Sequence, residues 1–181
     1  MVQPSVYIRK ATITDIRYKE EAAKVVNTAY RTEEGWTTEK NYVEGERITV
    51  DNMERCIRDS GSPNTLFFAF EEDQVIGTVQ IQPLKDQPEV AEIGLFSVSP
   101  MFQSRGIGGR LIRTAIEEMK AMGFKEALLH VLENRSSIIT WYKKLGFAET
   151  GERIPFIWPE LLKIKDLHFV ILKKSLKEDD H

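Results

Sequence analysis

The sequence predicts a mixed α/β fold on a half-antiparallel sheet, and three observations carry that expectation. Leu66 to Phe70 and Val75 to Gln82 are apolar or alternating runs joined by the short turn Glu72-Asp73, which reads as a hairpin. Glu92 to Val98 has strand character, stops at Pro100, and leads through a glycine-rich turn into a helical pattern. A second strand and helix, Ala127 to Val131 and Ser136 to Leu145, then precede two final strands.

In chain order, Val6 to Lys10 reads as a short first strand. Thr14-Asp15 offers a helix cap, and Ile16, Ala22, Ala23, Val25, Val26 and Ala29 recur at helical spacing as far as about Tyr30. Residues 31–47 are polar and punctuated by Gly35 and Gly45. Asp51-Asn52-Met53-Glu54 resembles a capping box with Asp51 as the cap, opening a helix to about Asp59. Gly61-Ser62-Pro63-Asn64 is a turn, and Pro83 to Pro88 is another. After the glycine-rich turn, Leu111, Ile112, Ala115, Ile116 and Met119 mark one helix face, which ends at Met122-Gly123. Phe147 to Ile154 and His168 to Lys173 are the last strands, and Lys177 to His181 is a charged tail. No repeat, low-complexity segment or linker divides the 181 residues, so a single domain is expected.

Composition narrows the function classes. With 41% hydrophobic and 29% charged residues the chain can build a core. A net charge of −3 disfavours a general nucleic-acid binder, which is usually basic. One cysteine, Cys56, excludes an internal disulfide and suits a reducing compartment, and its helical pattern marks it as a packing residue. Met1-Val2-Gln3-Pro4 does not read as a signal peptide, and no apolar run approaches membrane-spanning length. A cytoplasmic protein without nucleic-acid or membrane partners is expected, and no metal-binding pattern stands out.

The glycine-rich turn is the chemical clue. Gly106, Gly108 and Gly109 open a helix whose first amides have no internal partner and lie at the positive end of its dipole, a ready site for a pyrophosphate. A nucleotide P-loop would continue into Gly-Lys-Ser/Thr, whereas Gly109 is followed by Arg110-Leu111. A dinucleotide fingerprint would need a third glycine where Leu111 stands.

What does fit is Gln-x-x-Gly-x-Gly, here Gln103-Ser104-Arg105-Gly106-Ile107-Gly108, which resembles the acyl-CoA signature of the GNAT superfamily of N-acetyltransferases. Tyr142-Lys143-Lys144-Leu145-Gly146-Phe147 resembles that superfamily's downstream Tyr-x-x-x-Gly-Phe block, in the right order and at a typical separation. The resemblance covers about residues 6 to 174. It implies a GNAT fold, with about seven mostly antiparallel strands, about four helices, and a sheet splayed between the fourth and fifth strands.

The resemblance also implies roles. Acetyl-CoA is the expected cosubstrate, with its pyrophosphate on the amides of Gln103, Ser104, Arg105, Gly106, Ile107, Gly108 and Gly109. Phe96, Ser97 and Val98 would pair with its pantetheine arm, and the Val98 amide would serve as an oxyanion donor. Arg105 and Arg110 could add charge near phosphate. Tyr142 is the expected general acid, a phenol donating to the departing thiolate.

Glu92 is the expected general base through a water, because histone-acetylating members carry a glutamate there in an Ala-Glu-Ile context like Ala91-Glu92-Ile93. His130, on the neighbouring strand, is its rival. The family often has an asparagine at the place of Arg135. Asn134, one residue earlier, is the expected replacement contact to the cofactor, with Arg135 itself the alternative.

The acceptor, a small primary amine, would sit among Trp36, Tyr42, Phe156 and Trp158, where Glu33, Glu34 and Glu152 would suit a cation. Protein acetylation and a non-catalytic acyl-CoA sensor remain alternatives on the same fold. Dimers are common in the family, although nothing in the sequence identifies an interface.

Overall fold

A computed structural model describes residues 5–32 and 37–177. The expected contacts of Glu33, Glu34 and Trp36, and all of the expected tail beyond Lys177, lie outside the described residues. The elements follow the predicted order. They are β1 (Val6–Lys10), α1 (Lys19–Arg31), α2 (Val50–Arg58), β2 (Thr65–Glu71), β3 (Gln74–Pro83), β4 (Val90–Val98), α3 (Ile107–Ala121), β5 (Glu126–Leu132), α4 (Ser136–Lys144), β6 (Ala148–Pro155) and β7 (His168–Ser175).

The strands form one sheet in the order β1-β2-β3-β4-β5-β7-β6, antiparallel at every junction except the parallel β4–β5 pair. Each face buries its own helices. Phe68, Phe70 and Leu66 meet Ala22, Val26, Met53 and Ile57 from α1 and α2. On the other face Val79, Ile81, Ile93 and Leu129 meet Leu111, Ile112, Ala115 and Ile139 from α3 and α4.

Two helix starts differ from expectation. The first cap is Thr12, whose amide donates to the Asp15 carboxylate at 2.7 Å, and the chain makes a 3-10 stretch over Ile13–Tyr18 before α1 begins. Asp15 is also held by a two-pronged hydrogen bond from Arg9, so it caps the turn rather than preceding the helix. The second cap is Thr49 rather than Asp51. The Thr49 hydroxyl accepts from the Asn52 amide at 3.1 Å, which leaves Asp51 in the first turn.

The parallel junction positions the site. Its register runs Val90↔Glu126, Ala91↔Ala127 and Glu92↔Leu128, and then pairing ends, although β4 continues to Val98 and β5 to Leu132. The cause lies within β4. Leu95 has φ +46°, and the register with β3 shifts between Thr78 and Gln80. A residue with a Cβ in that region is strained by roughly 1–2 kcal/mol, and a bulge of this kind bends its strand. The Thr78 hydroxyl donates to the Leu95 carbonyl at 2.5 Å, and its oxygen lies 2.6 Å from the Ser97 hydroxyl, so buried polar contacts hold the bend. The splay expected between the fourth and fifth strands is thus built by a bulge at Leu95.

Candidate active site

The glycine turn stands at the mouth of the gap between β4 and β5. Gly106 takes φ +74° as the cap of α3, and no side chain caps that end. The first amides of the helix therefore open outward without an internal partner. Gln103 explains its own place in the motif, because its side-chain amide donates to the Val98 carbonyl at 3.2 Å and ties the turn to the end of β4. At Gly108 a Cβ would stand 3.1 Å from the Phe96 ring, so glycine permits the helix to approach β4 this closely.

A cleft of about 580 Å³ runs along this turn, lined by Phe96, Val98, Gln103, Ser104, Gly106, Ile107, Gly108 and Gly109. These are residues the sequence singled out. It missed Arg113, Trp141, Phe102 and Thr37 on the same walls. Arg113 had one legible signal, since it lies one helical turn beyond Gly109 and so on the same face. Trp141 stacks on Phe96 at 5.7 Å, nearly parallel. The two expected phosphate arginines have other partners. Arg105 reaches Glu71 at 3.2 Å and lies over the Phe102 ring, while Arg110 donates to the Val6 carbonyl. Arg113 is the guanidinium on the cleft wall.

The three β4 residues expected to meet the pantetheine arm have different surroundings. The Ser99 amide donates to the Ile76 carbonyl, so alternation turns the Ser97 backbone toward β3 and the Val98 amide toward the gap. The Phe96 carbonyl accepts from the Tyr30 hydroxyl at 2.7 Å. Asn134 is exposed in the turn before α4. Its neighbour Arg135 reaches inward and donates to the Thr37 carbonyl at 2.9 Å.

Tyr142 is buried, only 4% exposed, near the Phe96 end of the cleft. Its block works as a helix stop. Gly146 has φ +93°, the Phe147 amide donates to the Tyr142 carbonyl, and the Gly146 amide donates to that of Lys143, which together make a Schellman motif. Phe147 then packs edge-on against Tyr142 at 5.8 Å. Burial first, and then the neighbouring Tyr30 hydroxyl, hold the Tyr142 phenol well above its ordinary value of 10, against the opposing pull of Arg135. Burial likewise pushes Tyr30 up to about 12. Both phenols therefore stay protonated at neutral pH.

The rival bases are one unit. The His130 Nδ1 lies 2.5 Å from the Glu92 Oε1, with the two side chains 25% and 22% exposed. Glu92 is in the last ladder pair of β4, and His130 is two residues beyond its partner Leu128, hence on the same face where the strands have parted. Phe169 packs edge-on against the imidazole at 5.8 Å.

Beyond this pair, the loop after α1 meets the β6–β7 connection. Val43 bridges Leu162, and Val43, Leu132, Phe156 and Leu167 share a small core with Tyr42 at its edge. Phe156 and Tyr42 thus pack in this cluster, while Trp158 remains 50% exposed. Glu152 is exposed on the outermost strand. Among the described residues no group of acidic, histidine or cysteine side chains could hold a metal, and no helix is long and apolar enough to cross a membrane.

The sequence profile described as the acetyltransferase (GNAT) family matches residues 26–147. N-acetyltransferase 8 of Rattus norvegicus is 30% identical over 72% of this chain and 60% of its own length. N-acetyltransferase 8B of Homo sapiens is 31% identical over 56% of this chain and 46% of its own. The mycothiol acetyltransferase of Corynebacterium glutamicum is 26% identical over 67% and 37%. The chain thus spans roughly half the length of the curated relatives it matches. Among solved structures, the PaiA N-acetyltransferase of Thermoplasma acidophilum in complex with coenzyme A superposes with a TM-score of 0.66 at 23% identity, covering 94% of this chain and 99% of that one. The ribosomal-protein-S18-alanine N-acetyltransferase of Escherichia coli gives 0.69 at 16% identity over 98% and 97%.

Proposed function

Because this chain belongs to the acetyltransferase (GNAT) family, we propose that it moves the acetyl group of acetyl-CoA to a small primary amine by direct attack within a ternary complex. The observation that carries this reading is the parting of β4 from β5 beyond Glu92, with an uncapped glycine turn at its mouth. The residues present fit the cosubstrate. Amides at Gly106 to Gly109 and the Arg113 guanidinium suit a pyrophosphate, and the gap offers a strand-like arm the unpaired amide of Val98.

In the transfer, the Glu92–His130 pair accepts the proton of the attacking amine, directly or through a water. As nitrogen bonds to the thioester carbon, charge builds on the carbonyl oxygen, and the Val98 amide donates to it. Collapse breaks the carbon–sulfur bond and releases the coenzyme A thiolate, which the Tyr142 hydroxyl meets as proton donor. Burial raises the phenol, and the same low-dielectric surroundings would raise a thiol formed beside it in the same direction. The products are the acetyl amide and coenzyme A with its thiol restored. The reading takes the chain as one catalytic domain acting in the cytoplasm, where the Cys56 thiol stays reduced.

The test is thiol release from acetyl-CoA across polyamines, amino acids, aminoglycosides, and lysine and N-terminal peptides. Release with one small amine supports the reading. Release only with peptides moves the function to protein acetylation, and acetyl-CoA binding with no release leaves a sensor.

A further inference from the structure

Backbone groups alternate between the two edges of β4. Ser97 turns its groups toward β3, so those of Phe96 and Val98 lie on the gap edge. Their order there is the Phe96 carbonyl, the Val98 amide and the Val98 carbonyl. Both carbonyls are held by side chains from outside the strand. The Tyr30 hydroxyl, from the last turn of α1, donates to the first at 2.7 Å, and the Gln103 side-chain amide donates to the second at 3.2 Å. The amide between them is the one the proposed transfer uses. Phe96 and Val98 both line the cleft, so this edge faces the space a donor would fill.

Gln103 follows β4 by a short turn, whereas Tyr30 comes from 66 residues before Phe96. Its reach is fixed from its own end, because the Glu39 amide donates to the Tyr30 carbonyl at 2.7 Å and the preceding Ala29 is fully buried. What it grips is the strained part of the strand, since Phe96 follows Leu95 with its φ of +46°. Thr78 holds the bend from the β3 side, and Tyr30 holds it from the gap side. Electrostatics gives the grip a second effect. A carbonyl beside a developing oxyanion opposes it, and a hydrogen bond from a phenol sets a positive end against that carbonyl.

We propose that Tyr30 is a positioning residue for the transfer: by holding the Phe96 carbonyl, its hydroxyl keeps the Val98 amide aimed at the thioester oxygen and offsets the repulsion of the carbonyl next to it. The inference rests on the acetyltransferase reading and adds to it a residue that touches neither substrate. Preorganised donors act through fixed geometry, so a small swing of the Phe96–Val98 stretch is felt in the rate before it is felt in binding.

Two measurements test it on the full chain. Tyr30→Phe keeps the ring and removes the donor, and should lower kcat about tenfold or more while the dissociation constant of acetyl-CoA stays within about twofold. The second is infrared difference spectroscopy of bound acetyl-CoA, isotope-labelled at the thioester carbonyl carbon, with no acceptor present. In the wild type the carbonyl stretch should fall below that of free acetyl-CoA, because a hydrogen bond to the oxygen weakens the double bond, and Tyr30→Phe should return most of that shift. A tyrosine that only packs α1 against β4 would lower the melting temperature in this variant and leave the band in place. A wild-type band at the free frequency overturns the proposal without any variant. An unchanged band or an unchanged kcat in Tyr30→Phe overturns it as well. A band that depends on Tyr30 while no amine is acetylated would keep the role of Tyr30 at the carbonyl and overturn the transferase reading.

Discussion

The two sides of the β4–β5 gap are built differently. On the proposed cofactor side the recognising groups are mostly backbone: the amides of the glycine turn, the Val98 amide, and a helix end left uncapped. They come from one continuous stretch, residues 98–109. On the proposed acceptor side the groups are side chains brought from across the chain. Glu92 and His130 stand on different strands and meet only where β4 and β5 part. A backbone site is insensitive to most side-chain changes and fragile only where a Cβ cannot fit. A side-chain site can be retuned one residue at a time. The difference teaches why one fold can keep a donor and exchange acceptors.

The largest expected effect strikes the backbone site. Gly108→Leu drives a side chain into the Phe96 ring, and should weaken acetyl-CoA affinity at least a hundredfold by calorimetry while the circular dichroism spectrum is kept. Retained affinity would break the contrast, because the turn would then not be where the donor sits. Next, Tyr142→Phe removes one hydroxyl and no packing. Turnover should fall by about 10²-fold or more with acetyl-CoA affinity unchanged. Its sign with pH is also set. The phenol is raised, so it stays protonated up to and beyond pH 10, and the wild-type rate should show no fall below that pH traceable to Tyr142.

The acceptor side should be graded rather than all-or-none. Glu92→Gln leaves the imidazole without its carboxylate, and His130→Gln leaves the carboxylate without its imidazole. Each should lower kcat by roughly 10²-fold, and the double variant should cost little more than either alone, because the two act as one unit. Additive losses, measured by steady-state rates, would separate them. The smallest effect belongs to the bend that both sides share. Thr78→Val removes the hydroxyl that holds Leu95 and Ser97, and should cost about 1–2 kcal/mol in urea unfolding with only a few-fold loss of acetyl-CoA affinity.

The same contrast explains what could be read beforehand. Element order, the hairpin, the two successive strand–helix units and the glycine turn were legible because each is a local pattern: alternation, helical spacing, or glycine where a backbone must turn. Two helix caps were misplaced, to Thr14-Asp15 and to Asp51. Thr12 and Thr49 precede them and compete for the same amides, and only the backbone geometry decides between such neighbours.

The acceptor side was legible only in pieces. Glu92 and His130 stood out singly as rivals, yet their pairing depends on a parallel register that joins residues 38 positions apart. Tyr42 and Phe156, expected at the pocket wall, share one small apolar cluster that joins the two loops carrying them, a meeting no local spacing could show.

The bulge at Leu95 has a consequence for how the molecule resists heat and proteases. Past Glu92 and Leu128 the sheet is two leaves sewn together only at their base, each with an inner edge that no longer pairs with the other strand. An occupant that hydrogen-bonds along those edges acts as the missing thread. Since it binds the closed sheet and not the unravelled chain, every tenfold of donor concentration above its dissociation constant raises resistance to unfolding by about 1.4 kcal/mol. The melting temperature of this protein therefore doubles as a gauge of the donor around it, and digestion of the empty form should begin where the seam stops.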